Sequence, residues 1–69
     1  MMRLEVLKND WYGRLEDIVE EIEELGYEVL EANGEYITCW EENSDDDTEY
    51  IIRLGGTERT ITVEEIREI

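Results

Sequence analysis

The chain has 69 residues, 21 acids against 6 bases, no histidine, no proline and one cysteine, for a formal net charge of −15. A domain this short buries a modest core and is expected to be stable by only about 3–10 kcal/mol. The charge disfavours direct binding of nucleic acid or an anionic membrane and favours basic partners or cations. No apolar run is long enough to span a bilayer, and Arg3 and Glu5 interrupt any signal-peptide pattern at the start.

"MRLEVLK" alternates, with Met2, Leu4 and Val6 opposed to Arg3, Glu5 and Leu7, and reads as a first strand. Asn9 or Asp10 then offers a helix cap. Trp11, Leu15, Ile18, Val19, Ile22 and Leu25 follow at helical spacing, and Gly26 sits where a left-handed C-terminal cap belongs. The spacing predicts a helix over 10–25.

"YEVLEANGEYITCWEE" predicts a hairpin turned on Asn33-Gly34, a pair that tolerates the positive φ of a type I′ turn. That register sets Leu30 opposite Ile37 and Glu28 opposite Cys39 on one face. On the other it sets Glu31 opposite Tyr36, Val29 opposite Thr38 and Tyr27 opposite Trp40. "TEYIIRL" reads as a further strand and "RTIT" as a short last one. Thr62-Val63-Glu64-Glu65 matches a capping box, with Ile61 and Ile66 as a hydrophobic staple, and predicts a short C-terminal helix over 63–68.

The expected fold is a single α+β domain over 1–69. It has two layers: an antiparallel sheet of three to four strands, one main helix on one face, and the short C-terminal helix. One helix covers one face of a sheet. The other face, with Tyr27, Tyr36 and Trp40, would be covered by the C-terminal segment, by a second copy in a homodimer, or by a partner.

The placement of acid is the strongest functional signal. Glu16, Asp17, Glu20, Glu21, Glu23 and Glu24 fill nearly every helix position that the apolar stripe leaves free. Acids three or four residues apart repel by about 0.2–0.5 kcal/mol per pair. Those near the helix C-terminus oppose the macrodipole by roughly 0.3–1 kcal/mol each. A second cluster, "EENSDDDTE", contributes Glu41, Glu42, Asp45, Asp46, Asp47 and Glu49 in a loop between strands. At a helical rise of roughly 1.5 Å, six acids over residues 16–24 give one charge per about 2 Å. A DNA duplex carries one per about 1.7 Å. Solvated acidic faces are common, and a halophilic surface is a special case of them; the single lysine, Lys8, fits that reading, while the excess of glutamate over aspartate fits it less.

Other chemistry is set aside. Without histidine there is no His-based triad or metal site. Ser44 has no base to activate it, and exposed carboxylates lack the raised pKa that acid–base catalysis needs, so no enzyme activity and no cofactor are expected. Asn43, Asp45, Asp47 and Glu49 alternate like a calcium loop, but Thr48 stands where glycine is required and Leu54 where the bidentate glutamate belongs. The lone Cys39 reads as a small buried hydrophobe in a reducing compartment.

The stretch "DIVEEIEELGYEVLEANGEYITCWEENSDDDTEYIIRLGG", Asp17 to Gly56, resembles in composition and element order the small acidic inhibitors encoded by phages, in particular the DNA-mimicking anti-CRISPR proteins. The resemblance implies a host-cytoplasmic protein that occupies the basic DNA-binding cleft of a nuclease. Asp45, Asp46, Asp47, Glu41 and Glu42 would accept the arginines that read a flanking motif. The helix acids Asp17, Glu20, Glu21 and Glu24 would follow the phosphate path. The alternative from the residues themselves is a small interaction or homodimerisation module using the Tyr27–Tyr36–Trp40 face, with the acid serving solubility.

Overall fold

The structure, a computed structural model, describes residues 4–41, 48–57 and 59–69. It overturns the expected architecture. The chain is mostly sheet: five antiparallel strands curl into a half-barrel that holds one short helix. After a 3-10 helix at Leu4–Asn9 come β1 (Trp11–Tyr12), α1 (Leu15–Glu24), β2 (Tyr27–Ala32), β3 (Tyr36–Glu41), β4 (Glu49–Thr57) and β5 (Thr60–Glu68). The strand order is β1-β5-β4-β3-β2. One core lies inside the curl. Leu4 and Leu7 from the 3-10 helix and Ile18 and Ile22 from α1 close over Tyr27, Ile37, Cys39, Ile52, Leu54 and Val63 of the sheet.

Three expected elements are corrected, each for a physical reason. The first strand is a 3-10 helix, because Leu4 and Leu7 both enter the core. Residues three apart share a face in a three-residue turn, whereas a strand would send them to opposite faces. The helix begins at Leu15 instead of residue 10, because Trp11 and Tyr12 pair with Thr62 and Ile61 as an edge strand. No side chain caps its start at Arg14, while its end matches expectation: Gly26 takes φ 97°, and its N–H donates to the Glu23 carbonyl.

The third correction is the C-terminal helix, which is the second half of β5. Its apparent helical spacing comes from a β-bulge. Arg53 pairs with Glu65 and Leu54 with Val63, so Glu64 is an extra residue on β5. A bulge shifts the alternation by one residue, and it turns both Val63 and Ile66 inward, opposite Leu54 and Ile52. The capping-box pattern at Thr62–Glu65 loses to eight paired residues of ladder against β4.

The hairpin forms, but its register differs from the expected one by two residues at the turn and, past a β-bulge at Leu30, by one. Asn33 Oδ1 accepts the N–H groups of Glu35 and Tyr36, and the Asn33 N–H donates to the Tyr36 carbonyl. This Asx turn centres the loop on Gly34-Glu35, so Ala32 faces Ile37 and Glu31 faces Thr38. Leu30 is then bulged out and left 47% exposed, and beyond it Val29 faces Cys39, Glu28 faces Trp40 and Tyr27 faces Glu41. The shift at the turn leaves each residue on its expected face; the extra residue at Leu30 moves Val29, Glu28 and Tyr27 by one and so exchanges their faces relative to β3. The expected Tyr27–Tyr36–Trp40 face therefore does not exist as such. Tyr27 is buried in the core, edge-on to Tyr50 at 6.0 Å between ring centres, while Tyr36 and Trp40 lie on the opposite, helix-free side.

Candidate partner-binding surface

On α1, Ile18 and Ile22 are fully buried and Leu15, Val19 and Glu21 are half-buried. Glu16, Asp17, Glu20, Glu23 and Glu24 are exposed. At about 100° per residue these five acids fall within an arc of about 120° facing away from the core. Asp17, Glu20 and Glu24 run along one file of it. Among the described residues the one ion pair joins Arg67 Nε to Glu65 Oε1 at 2.6 Å, on β5. None of the helix acids is paired with a base among those residues, and the last turn of α1 carries no basic residue.

Two tyrosines are held above their ordinary pKa, chiefly by burial. Burial and then the charges of Glu21 and Asp10 push the Tyr12 phenol above its ordinary pKa. Burial, followed by Glu41 and three smaller contributions ending with Glu5, does the same to Tyr27.

The topology gathers further acid at one end of the sheet. The helix C-terminus feeds through Gly26 into Tyr27, which pairs with Glu41, the last residue of β3. At this same end β2 carries Glu28, β4 begins with Glu49, and β5 ends with Glu68 opposite Tyr50. Of the expected loop acids, Glu41 is half-buried and Glu49 exposed at this rim. Glu42, Asp45, Asp46 and Asp47, and with them most of the calcium-like alternation, lie outside the described residues. Sequence reasoning misses Glu28 and Glu68 as members of the rim, because it sets the first in the wrong register and assigns the second to a helix. It is the bulge at Leu30 that puts Glu28 beside Trp40.

The helix-free face is different in character. Tyr36, Arg53 and Glu65 form one cross-strand row, Thr38, Ile51 and Arg67 the next, and Glu28, Trp40 and Glu49 the last. A shallow cleft of about 310 Å³ is lined by Glu35, Tyr36, Ile51, Arg53, Glu65 and Arg67. This face therefore mixes arginine with carboxylate around the cleft and carries carboxylate without arginine in its rim row. The Trp40 indole N–H donates to Glu28 Oε2.

No helix among the described residues is long and apolar enough to cross a membrane. Compared with known protein families, curated proteins and solved structures, the chain matches none.

Proposed function

We propose that this protein is an acidic nucleic-acid mimic that inhibits a DNA-binding enzyme by occupying its basic cleft, with a CRISPR nuclease as the first target to test. The observation that carries the reading is the arc of five exposed carboxylates on α1, none of which has a base of its own chain among the described residues. Their charges are free to be met by an outside cation. The acidic rim adds to the reading, because it continues the same field onto the strand ends. Such a partner would be held by charge, so its affinity falls as ionic strength rises.

The test is a DNA-cleavage assay with a CRISPR nuclease and with a basic-cleft restriction endonuclease, run against the wild-type chain and two charge-reversed variants. One carries Asp17, Glu20 and Glu24 as lysine, the other Asp45, Asp46 and Asp47 as lysine. Inhibition that excess duplex DNA relieves, and that either reversal abolishes in a folded protein, is expected. Capture from bacterial lysate at low and at high salt extends the search to other targets. Recovery of only acidic or neutral proteins at both salts would refute mimicry.

A second reading has one observation in its favour. Because the C-terminal segment is a strand, it does not cover the helix-free face, and Tyr36, Trp40 and Ile51 remain only half-buried there. A homodimerisation or interaction module would use that face, and its association would change little with salt.

A further inference from the structure

We infer that the rim end of the helix-free sheet face is a receptor for one arginine side chain of a basic protein partner, built from Trp40, Glu28 and Glu49. The inference rests on the mimic reading and adds a specific contact away from the helix. The three residues occupy one cross-strand row, Glu28 on β2, Trp40 on β3 and Glu49 on β4, so all three side chains stand on the same face. Neighbouring strands lie about 4.8 Å apart, which sets a glutamate on each flank of Trp40.

The indole N–H donates to Glu28 Oε2, which orients that carboxylate at the ring edge and leaves Oε1 free to accept. Glu28 and Glu49 are exposed and Trp40 is half-buried, and neither glutamate has an intrachain base among the described residues. A planar cation laid over the ring meets the negative face of the indole and donates sideways to carboxylate on either side. Guanidinium suits this arrangement better than ammonium, because it is planar, stacks on aromatic rings and presents its donors as a fork.

A second copy of the chain also carries five arginines, Arg53 and Arg67 among them, but each copy bears a net charge of −15. The long-range field opposes that pairing and favours a basic partner.

The experiment is an NMR titration of the full chain with a short Arg-Arg peptide and its Lys-Lys twin. The two indole N–H signals are the readout. Trp11 is the internal control: it is 68% exposed, and its cross-strand partner is Thr62. A saturable shift of the Trp40 signal is expected, with Trp11 nearly still. The lysine peptide should bind at least about fivefold more weakly, and Glu28→Gln with Glu49→Gln should weaken the arginine peptide at least about tenfold.

Equal movement of both indoles, equal response to the two peptides, or indifference to the glutamine variants would overturn the assignment. So would a Trp40 shift that follows protein concentration alone, since a second copy would then be the occupant. The underlying reading fails separately. If Trp40 takes the arginine peptide while the chain never competes with DNA, mimicry is wrong and the receptor stands. If the chain competes with DNA and Trp40→Phe competes equally well, the receptor is wrong and mimicry stands.

Discussion

Replacing Glu24 by lysine should make this protein more stable. Glu24 is exposed in the last residue of α1, four residues after Glu20, and no basic residue stands in that turn. Three contributions follow from the position. Removing the Glu20–Glu24 repulsion returns about 0.2–0.5 kcal/mol. Pairing Glu20 with the introduced lysine, in the favoured order of acid before base, adds a similar amount. Reversing the charge at the helix C-terminus swings the macrodipole interaction from unfavourable to favourable, about 0.3–1 kcal/mol in each direction. Surface exposure favours the lower half of each range, for a gain of about 1–2 kcal/mol in dilute salt. For a domain of this size that raises Tm by roughly 5–15 °C. The assay is thermal unfolding followed by circular dichroism, with wild type and Glu24→Lys compared at low and at high salt. The difference should shrink in salt, because these charges are screened. A variant that melts at or below the wild-type temperature in dilute salt would refute the claim that the helix acids oppose folding. It would also remove the reason to look for an outside partner.

Two further outcomes test the fold. Gly56→Ala should destabilise by about 2–4 kcal/mol, because φ is 101° there and an added Cβ would run into the Thr60 carbonyl oxygen; urea unfolding reads the loss, and a neutral result would mean the β4–β5 hairpin is turned differently. Stability should also fall in alkali, because burial pushes the Cys39 thiol from 9.0 up to about 11. The fold favours the neutral thiol, so the contribution is whole below about pH 9 and is lost as pH rises to about 11, roughly 2–3 kcal/mol in all. Denaturant unfolding at about pH 8 and about pH 10.5 should show a larger drop for wild type than for Cys39→Ala. The raised phenols of Tyr12 and Tyr27 add a loss above about pH 10 that both proteins share.

The amphipathic helix, the acid on its outer arc, the left-handed Gly26 and the presence of a hairpin near Asn33 were all legible in the residues, because each depends on neighbours within about four positions. The remainder of the sheet was not. Val63 and Ile66 stand three apart on a strand only because Glu64 is bulged, and the bulge is settled by what β4 presents across the ladder. Residues 2–7 alternate as a strand would, and Leu4 and Leu7 are helical because the core accepts both. Trp11 fits a helical stripe, and it leaves that stripe with Tyr12 because β5 offers an edge to pair with.

The candidate surface divides along the same line. The number of carboxylates and their crowding on α1 are properties of the chain itself, since a charge and its helical neighbours need no tertiary contact to be counted. Which acids share the rim, and that Glu28, Trp40 and Glu49 form one row while Tyr27 goes inside, was decided only by strand register. Register is a long-range choice: the one extra residue at Leu30 exchanges the two faces of β2 beyond it relative to β3.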